Sequence, residues 1–209
     1  MDDGTRIKKM RIEGLEGLAK GEGGSSRRAF LPAAFTDYEG RRNRKTLMRL
    51  IATPLTSAAF LPYGEVLEAP DIAGRTYFED ALANLRPQAR PSLSLLVLDK
   101  AARLPLRSTT MERHRFSSQS FIPQQVGPQD TGHWLVVVAP QAAAGGPDMA
   151  RARAFLAGPR QGVTYGADVW HHPMTVLDTP ARFAVMMWRT RNTGDDEIIQ
   201  VPEFEVAAG

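Results

Sequence analysis

The feature that most constrains this fold is a series of short apolar segments, each bounded by proline, glycine or polar residues. From residue 50 onward they have strand length and are rich in β-branched and aromatic residues: LSLLVLDK (93–100), SFIPQQV (120–126), HWLVVVAP (133–140), TVLDTPARFAVMMWR (175–189) and EIIQVPEFEV (197–206). Helix is indicated only by FEDALANL (78–85), DMARARAFLA (148–157) and a turn capped by Thr56. The pattern predicts a mainly β fold, an antiparallel barrel or sandwich with a few short helices.

Charge divides the chain into two parts. Residues 1–50 hold 12 Lys and Arg against 7 Asp and Glu, whereas residues 51–209 hold 14 against 16. Residues 1–47 are Gly-rich and end near the basic run RRNRK, so we expect a basic, poorly structured extension before one folded domain over 48–209. Met48 is then a candidate alternative start. The mildly acidic main domain argues against a nucleic-acid footprint, and RNA contact through the basic run is the alternative.

Composition also excludes several classes of protein. The chain has no cysteine, which rules out disulfides and Cys-ligated zinc or iron–sulfur centres. No run approaches the ~18 apolar residues of a membrane span, and MDDGTRIKKM lacks the apolar core of a secretory signal. We therefore expect a cytoplasmic protein.

Two histidine-containing segments are the candidates for a functional site. In MERHRFSSQSF (111–121), strand alternation places Glu112 and His114 on one face and Arg113 on the other, and Gln119 follows after four residues. This E-x-H-x4-Q spacing resembles the first motif of the cupin superfamily, with Glu112 in place of a histidine and Gln119 in place of an acid. DVWHH (168–172) would supply the histidine of the second cupin motif, with His171 in the matching place.

The four side chains form a candidate metal set. Histidine and glutamate are reasonable ligands for a divalent transition metal and glutamine is a weak one, so the predicted ligands are Glu112, His114, Gln119 and His171. The alternative is that Glu112 and His114 pair on a solvent-facing sheet, and that one histidine of the adjacent pair is an ordinary core residue. The combination, rather than any single residue, favours a site.

A wider set of motifs carries a family resemblance. FLPYGEVLE (60–68), MERHRFSSQSFIPQ, WLVVVAP, RAFLAGPRQGVTY and VWHHPMTVL with RFAVMMWR resemble the ureidoglycolate lyase family, formerly called ureidoglycolate hydrolases, over residues 49–200. The resemblance implies a cupin-like β-barrel, usually a homodimer, that cleaves ureidoglycolate into glyoxylate and urea in the allantoin branch of purine catabolism. For a cofactor it leaves two options, either none or a divalent metal such as nickel.

The sequence departs from the family pattern at two places. Gly166, Ala167 and Asp168 stand where the family usually has a histidine, an arginine and a glycine, and Trp188 replaces the acid of an Asp-Arg pair. These departures keep two alternatives open: a non-catalytic sensor of small carboxylates, and a lyase for another small hydroxy acid.

The predicted roles follow from the chemistry that the resemblance implies. His114 is the candidate base, because an imidazole titrates near neutrality, and Glu112 orients it or shares a metal with it. His171 is the candidate acid or fourth ligand. Gln119 would bond the urea or carboxylate, and three further residues are assigned to substrate binding: Tyr165, Trp170 and His172. Trp170 is alternatively core packing.

Other polar residues have simpler interpretations. Arg189 ends a strand and is one option for anchoring the substrate carboxylate. His133 is expected to be structural. The segment RNTGDDE (191–197) is expected to be a loop whose carboxylates face solvent.

Overall fold

Two β-sheets form the architecture seen in the computed structural model, which describes residues 47–68, 70–124, 132–191 and 194–209. Within these ranges the strands are β1 (Met48–Pro54), β2 (Gly64–Leu67), β3 (Arg90–Leu98), β4 (Leu106–Arg113), β5 (Gln119–Pro123), β6 (Trp134–Ala139), β7 (Arg153–Ala157), β8 (Gly162–Tyr165), β9 (Trp170–His171), β10 (Thr175–Val176), β11 (Ala181–Arg189) and β12 (Glu197–Ala208). Helix is limited to α1 (Ser57–Phe60) and a 3₁₀ turn at Met149–Arg151. The mainly β prediction is confirmed.

The larger sheet closes on itself. Its strands pair in the order β10-β6-β7-β1-β12-β4-β9, and β9 pairs back onto β6, so that six strands form a ring. β1 runs parallel to both β7 and β12, and the remaining strand pairs are antiparallel. The second sheet is antiparallel, in the order β2-β8-β5-β11-β3. This arrangement agrees with the predicted cupin-like barrel or sandwich.

Strand β6 shows how alternation divides the core into two layers. All six of its residues are buried. Trp134, Val136 and Val138 belong to the cluster that lies under the five-stranded sheet, together with Phe183. The residues between them, such as Val137, belong to a second cluster, to which all six strands of the ring contribute. Side chains on successive residues therefore enter different layers, which decides where each site residue points.

The structure corrects the two longer helix predictions. Segment 148–157 is a 3₁₀ turn followed by β7, because Ala154 and Phe155 pair with both β1 and β6. Segment 78–85 is not helical, since its backbone bonds instead to the turn after β4: Leu85 N donates to Phe116 O and Ser118 N to Ala83 O. Hydrogen bonds to distant segments, from strand pairing in the first and from a neighbouring turn in the second, outweigh helix propensity. The turn after Thr56 is confirmed, with its side chain accepting a hydrogen bond from Ala59 N at 3.3 Å.

Two predictions concern the chain ends and the membrane. Residues 1–46 lie outside the described part, so the basic extension over 1–47 and the domain boundary at 48 stay predictions. Among the described residues, no helix is long and apolar enough to span a bilayer.

Candidate active site

Three predicted residues converge in the layer between the two sheets. Strand β4 carries Glu112, the chain leaves that strand at His114, and His171 on β9 is the direct cross-strand partner of Glu112. Their ligand-type atoms all lie within 4.8 Å of one another. The two imidazole centroids are 5.4 Å apart, and Glu112 Oε1 lies 3.4 Å from His171 Nε2. The distant histidine segments therefore do meet.

The hydrogen bonds of the two imidazoles define which ring nitrogen carries the proton in the neutral form. His171 Nδ1 lies 2.9 Å from the carbonyl oxygen of Val169, and a carbonyl can only accept, so Nδ1 carries the proton. His114 Nδ1 lies 3.0 Å from Asp196 Oδ1 and 3.4 Å from the carbonyl oxygen of Asp195. Since both are acceptors, Nδ1 of His114 also carries a proton. In the neutral form both Nε2 atoms then present lone pairs. Both Nε2 atoms are buried and have no hydrogen-bond partner.

This donor set fits a divalent transition metal. Two neutral imidazole nitrogens and one carboxylate are typical ligands of such ions, and each Nδ1 is held by an oxygen acceptor, as is usual for metal-binding histidines. Gln119 is on β5 opposite Tyr165, and its Oε1 is also buried without a partner while its Nε2 lies 4.0 Å from Met187 Sδ. Its predicted place as a ligand stays a prediction.

Burial and charge act against each other in the site. Burial opposes ionisation of Glu112, but the His171 imidazole, 3.4 Å away, and the imidazole of His114 lower the pKa of the carboxyl below its usual value. Burial disfavours the charged form of His114, but the Asp196 carboxylate and Glu112 raise the pKa of this imidazole. The site therefore favours an ionised Glu112 carboxylate beside a His114 imidazole that accepts a proton more readily than usual.

Tyr165 forms one wall of the site. Its ring stacks on the His171 imidazole with centroids 4.1 Å apart and planes 9° from parallel. Burial, together with the charge of Glu112, raises the pKa of its hydroxyl well above the usual range, so the phenol stays neutral. The stack fixes the orientation of the imidazole, and the predicted role of Tyr165 in substrate binding stays a prediction.

Trp170 and His172 point away from the three site residues, because they flank His171 on an alternating strand. Trp170 belongs to the cluster of the ring and donates from Nε1 to Gln141 Oε1 at 2.8 Å. His172 Nε2 lies 2.9 Å from Ser108 Oγ, and burial lowers the pKa of its imidazole. Their contacts give no support to substrate binding, which stays a prediction for both.

The departures at 166–168 lie beside the site. Gly166 and Ala167 line a cavity of about 630 Å³ together with Tyr63 and Glu65. Asp168 faces the other way and forms a 2.9 Å ion pair with Arg113. Arg113 is buried over the Trp170 ring, 4.3 Å from its centroid, which confirms that it points away from His114.

The expectation that the carboxylates of segment 191–197 face solvent is wrong for Asp195 and incomplete for Asp196. Asp195 is only 4% exposed and binds Arg86, Thr190 and the backbone of Arg191. Asp196 binds His114 and Arg189. The one available signal was the position of the two acids directly before β12, which pairs with β4 at Glu197 and Arg113. His133 is half exposed and lies 3.3 Å from Asp178, and its structural role stays a prediction.

Comparisons with known proteins agree with this geometry. The family model for ureidoglycolate lyase matches residues 47–207. A putative ureidoglycolate lyase of Agrobacterium fabrum is 38% identical over 144 residues, covering 69% of this chain and 85% of the relative. The ureidoglycolate lyases of Azotobacter vinelandii and Pseudomonas aeruginosa are 37% and 35% identical, with coverage of 66% and 64% of this chain and 85% and 79% of the relatives. The chain belongs to the ureidoglycolate lyase family.

Proposed function

We propose that this protein is an enzyme, a lyase that cleaves ureidoglycolate into glyoxylate and urea. The observation that carries the proposal is the pair of buried, unpartnered Nε2 atoms of His114 and His171, which lie with the Glu112 carboxylate in one cluster. The family match and the printed names of the relatives supply the substrate. The alternatives of a sensor or of another hydroxy acid are not favoured by any of these names.

The residues suit the bond changes that this reaction needs. Ureidoglycolate carries a hydroxyl, a carboxylate and a ureido nitrogen on one carbon. As the C–N bond breaks, the hydroxyl proton leaves, the C=O of glyoxylate forms, and the departing nitrogen takes a proton to give urea. In its neutral form His114 carries its proton on Nδ1, and Nε2 can then accept the hydroxyl proton. Groups placed for proton transfer typically contribute ~10²–10⁴-fold in rate.

His171 is the acid in this proposal. Donation requires a proton on Nε2 in addition to the one that Nδ1 gives to Val169. Glu112 Oε1, 3.4 Å from that Nε2, is the group that would stabilise the resulting imidazolium. In this proposal the carboxylate lies beside the nitrogen that donates the proton, while Tyr165 holds the plane of the ring.

The direct test is a glyoxylate-release assay on ureidoglycolate with three histidine variants. His114→Ala and His171→Ala should each lower kcat by about 10²–10⁴-fold without unfolding the protein. His133→Ala is the matched control, because His133 is a half-exposed histidine paired with Asp178, and it should keep wild-type turnover. Near-normal turnover in either site variant would refute the assignment.

We also propose that Glu112, His114 and His171 hold a divalent metal, with Gln119 as the weaker fourth ligand. When bound, such an ion supplies a Lewis acid that lowers the pKa of the substrate hydroxyl. A nitrogen that binds an ion can neither accept nor donate a proton, so metal binding excludes the base role of His114 and the acid role of His171. Elemental analysis of purified protein, with a thermal-shift titration of Ni²⁺ on wild type and His171→Ala, distinguishes metal binding from proton transfer by the imidazoles. A metal-free wild type that is active and insensitive to Ni²⁺ excludes the ion.

The proposed assembly is a homodimer. Strand β3 lies at the edge of the five-stranded sheet, and its outward side chains Leu93, Leu95 and Val97 are each more than half exposed. Such an apolar edge would be covered in a dimer. Light scattering on the eluting protein should show a dimer that Leu95→Lys converts to a monomer. Ile72→Lys, at an exposed apolar residue elsewhere, is the control. A monomeric wild type would contradict the proposal.

The wider setting belongs to the same proposal. The reaction would take place in the cytoplasm, in the breakdown of purines through allantoin, where glyoxylate is released. The support is the substrate printed in the names of the relatives. Subcellular fractionation of the native source tests the location, and growth of a deletion strain on allantoin as nitrogen source tests the pathway.

A further inference from the structure

We propose that Asp196 is a positioning residue that holds His114 in the tautomer with a free Nε2, and that the buried pair of Arg86 and Asp195 keeps Asp196 in place. The inference deepens the proposed function and depends on it only for its activity measurement. The argument begins from the 3.0 Å contact between Asp196 Oδ1 and His114 Nδ1.

Asp196 is not held by burial, since its side chain is 39% exposed. Its second oxygen is held instead by Arg189 Nη2 at 3.2 Å. The carboxylate therefore bridges a guanidinium and the imidazole, with a separate oxygen for each. A carboxylate fixed in this way accepts from Nδ1–H and leaves Nε2 as the basic atom that faces Glu112 and His171.

Asp195 anchors the backbone from which Asp196 extends. Its carboxylate is buried and accepts hydrogen bonds from Thr190 N at 3.2 and 3.1 Å, from Thr190 Oγ1 at 2.8 Å and from Arg191 N at 3.0 Å. Arg86 closes the cluster with an ion pair to Asp195 Oδ1. The carbonyl oxygen of Asp195 lies 3.4 Å from His114 Nδ1, so the anchored residue also contacts the imidazole.

Arg86 connects this anchor to the other side of His114. Its guanidinium lies 4.9 Å from the centroid of Phe116, two residues after His114. The backbone of Leu85, next to Arg86, donates to Phe116 O at 2.8 Å. Arg86 therefore joins the turn that follows His114 to the acid that precedes Asp196. The Arg86–Asp195 ion pair therefore fixes the segment that carries His114 to the segment that carries Asp196.

Without Asp196, the tautomer of His114 would no longer be imposed. The remaining acceptor is the Asp195 carbonyl, at the longer distance of 3.4 Å. Neutral imidazole in water prefers the proton on Nε2, the atom that the proposed chemistry needs free. Loss of Asp196 should thus lower kcat through the state of His114, while the substrate-binding surface is retained. Residues that orient a functional histidine typically contribute about 10–100-fold.

The experiment is a long-range ¹H–¹⁵N correlation on ¹⁵N-histidine protein after treatment with a chelator, together with steady-state kinetics. In wild type, His114 should carry its proton on Nδ1. Asp196→Ala should shift it toward Nε2–H and lower kcat about 10–100-fold with KM changed less than about threefold. Asp196→Asn keeps an acceptor oxygen and should restore the Nδ1–H form. Glu197→Ala is the matched control, because the adjacent Glu197 pairs with Arg113 and not with His114.

The outcomes separate this inference from the proposed function. At a pH where His114 is neutral, a wild-type proton on Nε2 instead of Nδ1 overturns the inference directly, even if Asp196→Ala fails to fold. An unchanged tautomer or unchanged kcat in a folded Asp196→Ala also overturns it. If the wild type does not cleave ureidoglycolate while the tautomer shifts as stated, the proposed function fails and the positioning role stands.

Discussion

Replacing Asp195 by asparagine should destabilise the fold in a way that depends on pH. Burial opposes ionisation of this carboxyl, but the hydrogen bonds from Thr190, Arg86 and the backbone of Arg191 lower its pKa from 3.8 to about 2. At about 1.4 kcal/mol per pH unit, this difference corresponds to about 2 kcal/mol of stability at neutral pH. Arg86 would also lose its buried partner, a change that typically costs about 3–5 kcal/mol. We expect a total loss of about 3–5 kcal/mol, below the sum because the two effects share one interaction.

The sign of the pH effect follows from the lowered pKa. A carboxyl whose pKa is lower in the folded state than in the unfolded state stabilises the fold fully above its unfolded pKa, near 4. This contribution is lost as the pH falls through the folded pKa of about 2. The difference between wild type and Asp195→Asn should therefore be constant from pH 7 to about 5 and smaller by roughly 1 kcal/mol at pH 3.

Urea denaturation at pH 7 and pH 3 measures this difference. Asp178→Asn is the matched control, because Asp178 is 64% exposed and should change stability by less than about 0.5 kcal/mol. A difference below 0.5 kcal/mol for Asp195→Asn at pH 7, or one that does not shrink at pH 3, would refute the reasoning.

Substitutions at three further positions test the site and the packing of the sheet. Glu112→Gln removes the charge beside His171 and should lower kcat about 10²–10⁴-fold with little change in Tm, and an unchanged kcat would exclude its role. Tyr165→Phe should keep the ring stack and the activity, whereas Tyr165→Leu should lose both; equal activities would show that the stack is irrelevant. Gly162→Ala would place a Cβ 2.5 Å from a carbonyl oxygen of β5 and should cost about 1–3 kcal/mol by urea denaturation, while Gly74→Ala, in open space, should not.

The positions of several strands could be predicted from the sequence. The segments at 93–100, 120–126 and 133–140 correspond to β3, β5 and β6, because apolar and β-branched residues were concentrated between turn residues. Period-two alternation also placed Glu112 and His114 together and turned Arg113 away. These features depend on neighbours in the chain, which sequence patterns record directly.

The features that the sequence did not reveal depend on contacts between distant segments. Segment 148–157 has helical composition, yet it is fixed as a strand by pairing with β1 and β6 on both sides. Asp195 and Asp196 have the composition of a solvated loop, and their burial or pairing becomes visible only when Arg86, 109 residues away, is brought to them. Polarity alone could not separate a solvated acid from an anchored one.

The place of His171 links closure of the ring to assembly of the site. His171 lies on the two-residue strand β9, and its cross-strand partners are Glu112 on β4 and Val138 on β6. So short a strand cannot hold its register by backbone bonds alone. The residues on either side supply the anchors, since Trp170 bonds to Gln141 and His172 to Ser108. Because alternation turns both anchors to one face, the imidazole between them must point to the other, toward Glu112. The adjacent aromatic residues that sequence reasoning assigned to substrate binding thus hold in place the histidine of the candidate site.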